Sequence, residues 1–456
     1  MIIGRQDELN QLETAYHAKE PQAVYISGES SVGKTALVCE FLSNHRNSFY
    51  FSACNSSISM NHSLFINELQ AQGFFTDCNP SVCDDTFSIL LKKTRRDQIL
   101  IVLDDAQYAP QLAEELQRRL IEWKAAHDFP IRLLLIISGN MSEEMLATLQ
   151  KSGNGIASRH ISLSALTYLK AMPYYSSFDD EEKVLLYGIT GGLPGCLNLI
   201  DKTKSFKDNL YSMFFSDISP LLDECGKYVE KQFRQPGIYH AILYAIASGK
   251  VRLGEISIAV GLEYNKLSKY IGSLLNCGLI DRIIPANEQH LKKQHKKTFY
   301  SIRNNMLLFW YRFVFPVRSA IRMGLGKKLM RMGHLSNIDS YAQKVFFEIC
   351  RQYCLTLRQS GKFFLDFQSI GYFWEKEPSP DNLYLMASAH NQTCLMQCLW
   401  DKQKIHVRHL HSLTKEGIET GSEKFFVFSR KGFTSSALQY SAKHPNVWLL
   451  SLYYMK

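Results

Sequence analysis

The chain has 456 residues, 46% of them hydrophobic and 21% charged, which excludes a collagen-like or disordered polymer. At roughly 100–200 residues per domain the length calls for two to four domains. The net charge is +9, but residues 236–335 hold 16 Lys and Arg against four acids, a local +12 that leaves the rest of the chain at −3; such asymmetry points to a polyanionic partner for one segment.

The opening residues, MIIGRQDEL, lack the basic start and apolar core of a secretory signal. Apolar runs at 23–27 (AVYIS), 48–53 (SFYFSA), 99–104 (ILIVLD) and 132–138 (RLLLIIS) read as strands, the last two as strands buried on both faces. Helical patterns at 34–43, 62–69, 86–93 and 109–127 separate them, so a doubly wound parallel α/β domain is expected over 1–165. Residues 166–235 read as a helical extension. Three helices follow at 237–248, 253–260 and 265–276, with Gly261 and Gly278 where helix ends would fall. Two β-like pieces, 279–284 and 298–302, are joined by a loop whose residues 290–297 read HLKKQHKK. Three helices and a two-stranded wing make a winged helix, expected over 236–335. The aromatic run 306–317 is too short for the roughly 20 residues of a membrane span and is interrupted by Arg312; at this spacing it reads as core. From 338 to 456, a helix at 341–357 and β-like runs at 363–367, 383–387, 394–399, 424–428 and 447–453 suggest a small α/β domain. The 11 cysteines are odd in number and form no CxxC pair, as for free thiols in a reducing cytosol. Cys394 and Cys398, near His390 and His406, lack the spacing of a zinc site. The expectation is a cytoplasmic protein without a membrane partner.

Gly28-Glu29-Ser30-Ser31-Val32-Gly33-Lys34-Thr35 matches GxxxxGK[ST] between a strand and a helix. Glycines let the backbone approach phosphates and turn successive N–H groups toward the anion. Lys34 would reach the β- and γ-phosphates of ATP or ADP, and the Thr35 hydroxyl would ligate Mg²⁺. A simple Gly-containing turn is the alternative, and a second motif weakens it. The strand 99–104 ends in Asp104 and is followed by Asp105. Asp104 would stand near the metal; Asp105 stands where a glutamate commonly polarises the attacking water, and being one methylene shorter it implies slow hydrolysis. Plain turn acids are the alternative for both. The run 132–140 would supply a strand between the two motif strands, with Ser138 or Asn140 as sensor of the γ-phosphate, or a simple loop in its place.

Ile3-Gly4-Arg5-Gln6-Asp7-Glu8-Leu9 resembles the GRxxEL box of the signal-transduction ATPases with numerous domains, and within them the archaeal-type ATPase family. Asp104-Asp105-Ala106-Gln107 resembles that family's acidic motif, Thr190-Gly191-Gly192-Leu193-Pro194 its GGxP helix, and Ile302–Phe313 its aromatic stretch after the wing. The resemblance implies an ATPase with Arg5 near the adenine and with Pro194 at the nucleotide pocket, reporting its state to the helical segment. Against these stand an exposed arginine and a helix-starting proline. Where the family often has arginines in the phosphate loop, this chain has Glu29-Ser30-Ser31. The resemblance also implies a restriction-endonuclease-like tail, a fold that needs acids and a lysine around Mg²⁺. Glu348 and the stretch Gly371-Tyr372-Phe373-Trp374 fit its first two elements, but Tyr384, Gln397 and Leu399 stand where aspartate, glutamate and lysine are expected. Asp381 is out of register and reads as a turn acid. The tail is expected to keep its fold and lack nuclease activity.

In a helix-turn-helix the second helix enters the major groove; here 265–276 carries Lys266, Ser268, Lys269, Tyr270 and Ser273. Together with the lysines of 290–297 it suggests salt-dependent contacts to duplex DNA, unless this module is a spacer packed on the ATPase. The reading is an ATP-binding, slowly hydrolysing switch that couples nucleotide state to a winged helix and an inactive tail, with a protein partner or self-assembly left open. The competing reading is a DNA-binding or scaffold protein in which nucleotide is structural.

Overall fold

The computed structural model describes residues 2–45, 47–74, 98–126, 133–286, 298–374, 383–389, 392–419 and 421–456. The expected helix 86–93, the basic loop 290–297, Asp381 and His390 lie outside them. By contacts the chain forms two compact units, Met1–Leu166 with Leu193–Gly195, and Thr167–Gly192 with Cys196–Lys456.

In the first unit the apolar runs become β1 (Gln22–Gly28), β2 (Ser48–Ser52), β3 (Ile99–Asp104) and β4 (Leu133–Gly139). All residues of β3 and β4 are buried, as a strand covered on both faces requires. A further strand, β5 (Ala157–Leu163), completes a parallel sheet of order β2-β3-β4-β1-β5. So β4 does lie between the strands that carry the two motifs. Sequence reading missed β5 because it is an edge strand whose residues 157–160 are exposed and polar or small. The helices are α1 (Gln6–Tyr16), α2 (Lys34–Ser43), α3 (Ile58–Ala71), α4 (Pro110–Ala126) and α5 (Glu143–Ser152). α3 starts four residues earlier than its apolar pattern because the Ser57 hydroxyl caps it by accepting from Met60 N.

The second unit begins with helices. α6 (Asp180–Thr190) opens on a capping box between Asp179 and Glu182; α7 (Leu221–Gln232) follows. Then come α8 (Pro236–Ala247), α9 (Leu253–Val260) and α10 (Tyr264–Asn276), and an antiparallel pair, β6 (Ile280–Ile283) and β7 (Phe299–Ile302). Gly261 ends α9 in the left-handed conformation, at φ 68°. The aromatic run is buried: Trp310, Tyr311, Phe313 and Val314 form one wide helical turn, and Trp310 Nε1 donates to Leu222 O at 2.8 Å.

α11 (Ile338–Gln359) leads into β8 (Ser369–Phe373), β9 (Tyr384–Ala389), β10 (Gln392–Leu399), α12 (Val407–Glu419), β11 (Lys424–Ser429), α13 (Ser435–Lys443) and β12 (Val447–Ser451). The sheet order is β12-β11-β10-β9-β8, antiparallel across β8-β9-β10 and parallel across β10-β11-β12. The run 363–367 is not a strand. Its aromatics cover the sheet instead, Phe364 stacking on Trp448 at 3.7 Å between ring centres. The strand falls at β8, six residues on, where residues alternate between the two faces.

Candidate functional site

The phosphate loop leaves β1 at Gly28, whose φ is 157°. A Cβ there would stand 2.4 Å from the Leu163 carbonyl oxygen of β5, so only glycine lets the loop start this close to the sheet. Gly33 closes the loop in the left-handed conformation, at φ 91°, directly before α2. Ser31 is also left-handed, at φ 66°, and strained non-glycine backbone of this kind clusters at ligand clamps. Glu29, Ser30, Ser31 and Thr35 are exposed, while Val32 is buried beneath the loop.

Lys34 sits in the first turn of α2 and is buried. Its Nζ donates to the Gly28 and Glu29 carbonyl oxygens, each at 2.8 Å, and so spans the loop. Burial pushes its pKa down, while Asp104, Asp105 and Glu29 oppose that shift. The Thr35 hydroxyl donates to Asp104 Oδ2 at 2.7 Å, which joins the two motifs. Asp104 is only 1% exposed. Its Oδ1 accepts from Asp105 N at 3.0 Å, and its Oδ2 also accepts from the Tyr50 hydroxyl at 3.2 Å. Burial and the Asp104 carboxylate together raise the Tyr50 pKa far above the usual phenol value, so Tyr50 stays a donor.

Asp105 is left-handed, at φ 52°. Its oxygens accept from Ser52 Oγ at 3.4 Å and Gln107 Nε2 at 3.0 Å. Gln107 Oε1 in turn accepts from Asn140 N at 2.9 Å, tying the ends of β3 and β4 together. Ser138 is fully buried in β4, and its Oγ has no partner among the described residues; Asn140 is exposed at the strand end. Tyr50, Ser52 and the bridging role of Gln107 were not anticipated. Gln107 belongs to the acidic motif, but Tyr50 carries no sequence signal, since only the register of β2 on β3 brings it to Asp104.

Arg5 is buried directly before α1. Its guanidinium donates to Val32 O at 2.9 Å and to Ser164 O, and pairs with Glu8 at 3.1 Å. It is thus a strut beneath the loop, not an exposed arginine. Pro194 also approaches the loop, its ring 3.5 Å from where a Gly33 Cβ would stand, and a Cβ on Gly195 would lie 3.7 Å from Ser31 Cβ. Arg5 and Pro194, 189 residues apart in sequence, both touch the loop that holds Lys34.

These groups fit a nucleotide with Mg²⁺. The donor set is a loop of backbone amides, a buried ammonium held by two loop carbonyls, and a hydroxyl hydrogen-bonded to a buried carboxylate, each a group that phosphate or a hard divalent cation takes. The tail differs. Glu348 is held by Arg351 in two bonds of 2.8 Å. Tyr384 is 5% exposed in an apolar cluster with Phe373, Met386, Leu395 and Leu410, and Leu399 packs against it. Gln397 Oε1 is buried without a partner among the described residues.

Residues 2–82 match the AAA ATPase domain family, and residues 310–410 match DUF234, a family of archaea bacterial proteins of unknown function. An uncharacterised protein of Methanocaldococcus jannaschii is 23% identical over 399 residues, which cover 84% of each chain. The Walker-type ATPase of Pyrococcus abyssi is 16% identical with a TM-score of 0.43, covering 68% of this chain and 96% of that one. Cdc6p of Pyrobaculum aerophilum is 15% identical with a TM-score of 0.36, covering 71% and 94%. The two family matches bear out the resemblance to the archaeal-type ATPases, and residues 2–82 carry an AAA-type ATPase domain. Among the described residues no helix is long and apolar enough to cross a membrane.

Proposed function

We propose that the AAA-type ATPase domain of this chain is a slow nucleotide switch. The observation that carries this is the hydrogen bond of 2.7 Å from Thr35 to Asp104, with Lys34 buried beside them. Gly28, Glu29, Ser30, Ser31, Val32 and Gly33 would wrap the phosphates of ATP or ADP, and Lys34 would exchange its two carbonyl partners for phosphate oxygens. Thr35 and Asp104 would hold Mg²⁺, which supplies neutralisation of phosphate charge. Asp105 would orient the attacking water. Its tethering by Ser52 and Gln107, and its short side chain, support slow turnover. Pro194, packed at Gly33, would pass the state of the loop to the helical extension.

The segments beyond the ATPase core read as a helical lid over 166–235, a winged helix over 236–335 and an inactive nuclease-like domain over 338–456. The apolar surroundings of Tyr384 and Leu399 support inactivity, because a Mg²⁺ site needs charge where these residues bring none.

Duplex DNA as partner of 236–335 is favoured by α10. Its residues 264–266, 268 and 269 are exposed, including Tyr264, Lys266 and Lys269, so the face that would enter a groove is open.

The test is the nucleotide content of the purified protein, with ATP turnover measured with and without duplex DNA. Bound ADP with slow turnover, lost in Lys34→Ala, is the expected result. Absence of nucleotide, turnover and thermal stabilisation by Mg²⁺ with ATP would overturn the switch. Nucleotide that stabilises the protein without being hydrolysed would favour the scaffold reading.

A further inference from the structure

Arg430 follows β11 and is 12% exposed on its side chain. Its guanidinium bonds Glu181 in the first turn of α6 at 2.5 Å and Asp339 in the first turn of α11 at 3.1 Å. It also lies over the Trp400 ring, 4.6 Å from its centre. Trp400 Nε1 donates to the same Asp339 oxygen at 3.3 Å, and Lys431 also pairs with Glu181. Arg430, with Lys431 beside it, thus ties α6 to the end of β11 in the C-terminal sheet. Desolvating a guanidinium and its partners largely offsets their attraction, so such a pair is a poor source of stability and a good way to specify geometry.

The geometry it specifies is that of α6. Midway along the helix, Tyr187 exchanges hydrogen bonds with Gln352 of α11, and a Cβ on Gly188 would lie 2.8 Å from the Tyr341 hydroxyl. The helix then ends at Gly191 and Gly192, both left-handed, at φ 60° and 69°. A Cβ on Gly191 would stand 2.6 Å from Asn304 Oδ1, which caps the next buried helix by accepting from Met306 N at 2.9 Å. After this corner the chain enters the ATPase unit as Leu193–Gly195, where Pro194 rests on Gly33.

We infer that the Glu181–Arg430 pair is a latch. By fixing α6 on the C-terminal sheet, it sets how firmly Pro194 bears on the phosphate loop and hence how fast nucleotide leaves. The C-terminal domain is then a regulator of nucleotide exchange that has no need of nuclease chemistry. Glu181 and Arg430 are positioning residues, and the inference rests on the nucleotide site proposed above.

The test is the dissociation rate of a fluorescent ATP analogue from the full-length chain in Glu181→Gln, Arg430→Met and the double variant, beside thermal unfolding of each. The latch predicts that each single variant speeds dissociation about fivefold or more, as allosteric couplings do, and that the double variant is no faster than the faster single one. If Arg430→Met does not fold, Glu181→Gln still decides, because the residue is only partly buried and the substitution leaves a neutral amide of the same size in place. Wild type that binds the analogue, with variants that lower the melting temperature but leave dissociation unchanged, overturns the latch alone. Wild type that binds no analogue overturns the nucleotide site and the latch with it.

Discussion

Among the described residues, two five-stranded sheets offer the same kind of scaffold and use it in opposite ways. In the first, every strand runs parallel, and the polar groups gather beyond strand ends: Lys34 and Thr35 after β1, Asp104 and Asp105 at the end of β3, Asn140 after β4. In the second, β8, β9 and β10 are antiparallel, and Tyr384 and Leu399, where a nuclease would need acid and lysine, join the apolar cluster under α12 and α13. A sheet's core depends on apolar area, whereas a site depends on a few charges at strand ends, so the same scaffold can stand with or without a site. Polar groups cluster beyond the strand ends of the first sheet, whereas Tyr384 and Leu399 of the second belong to apolar packing.

The contrast breaks most readily at Lys34. Lys34→Ala should cut ATP turnover by about 10²–10³-fold, the usual cost of losing a preorganised charge on a transferring phosphoryl group, as read by phosphate release. A loss below tenfold would mean that the loop is not the catalytic site. The reverse experiment is Tyr384→Asp. It should yield no Mg²⁺-dependent plasmid nicking and should destabilise the tail by about 3–5 kcal/mol in denaturant unfolding, because it places a carboxylate in an apolar cluster. Nicking by the wild-type chain that disappears in Glu348→Ala would undo the comparison.

Gly28→Ala should cost about 2–4 kcal/mol, since a Cβ would meet the Leu163 carbonyl at 2.4 Å in a conformation that L residues rarely adopt; a folded variant of unchanged melting temperature would contradict this packing. Lys266→Ala and Lys269→Ala should each lower the salt dependence of duplex binding by roughly one unit of slope. Unchanged slopes would exclude α10 from the interface.

The smallest effect is at the latch. Burial raises the pKa of Glu181 and of Asp339, but hydrogen bonds and charge from Arg430 and Lys431 at Glu181, and from Lys402 and Arg430 at Asp339, outweigh it and leave both below the usual carboxylate range. Their contribution is therefore complete above the unfolded values near pH 4 and is lost as pH falls through the lowered folded values. Unfolding midpoints followed from about pH 5 down to pH 2 should fall for the wild type and fall less for Arg430→Met, by about 1 kcal/mol for groups this exposed. Parallel curves for the two proteins would show that the pair carries none of this stability.

Much of the nucleotide site was legible in the sequence because its parts are local. Eight consecutive residues make the loop, and an apolar strand with two terminal acids makes the second motif; both follow from spacing and hydrophobicity. The central strands were legible for the same reason, and the buried aromatic run announced itself as core. The edge strand β5 was not, because one exposed face and a polar start remove the apolar signal. Nor was the run 363–367, whose phenylalanines cover a sheet instead of entering it. Periodicity cannot tell an apolar strand from an apolar lid.

What only the tertiary structure decided are pairings between residues far apart in the chain: Tyr50 with Asp104, Arg5 with the Val32 carbonyl, Pro194 with Gly33, and Arg430 with Glu181. The sequence by itself determined that a phosphate loop and a strand-end carboxylate exist and that positions 384, 397 and 399 hold Tyr, Gln and Leu rather than acids and lysine, because those are properties of residue types at short spacing. Which distant side chains close on the loop depends on strand order and helix packing, and those emerge only when the chain buries its apolar surface as a whole.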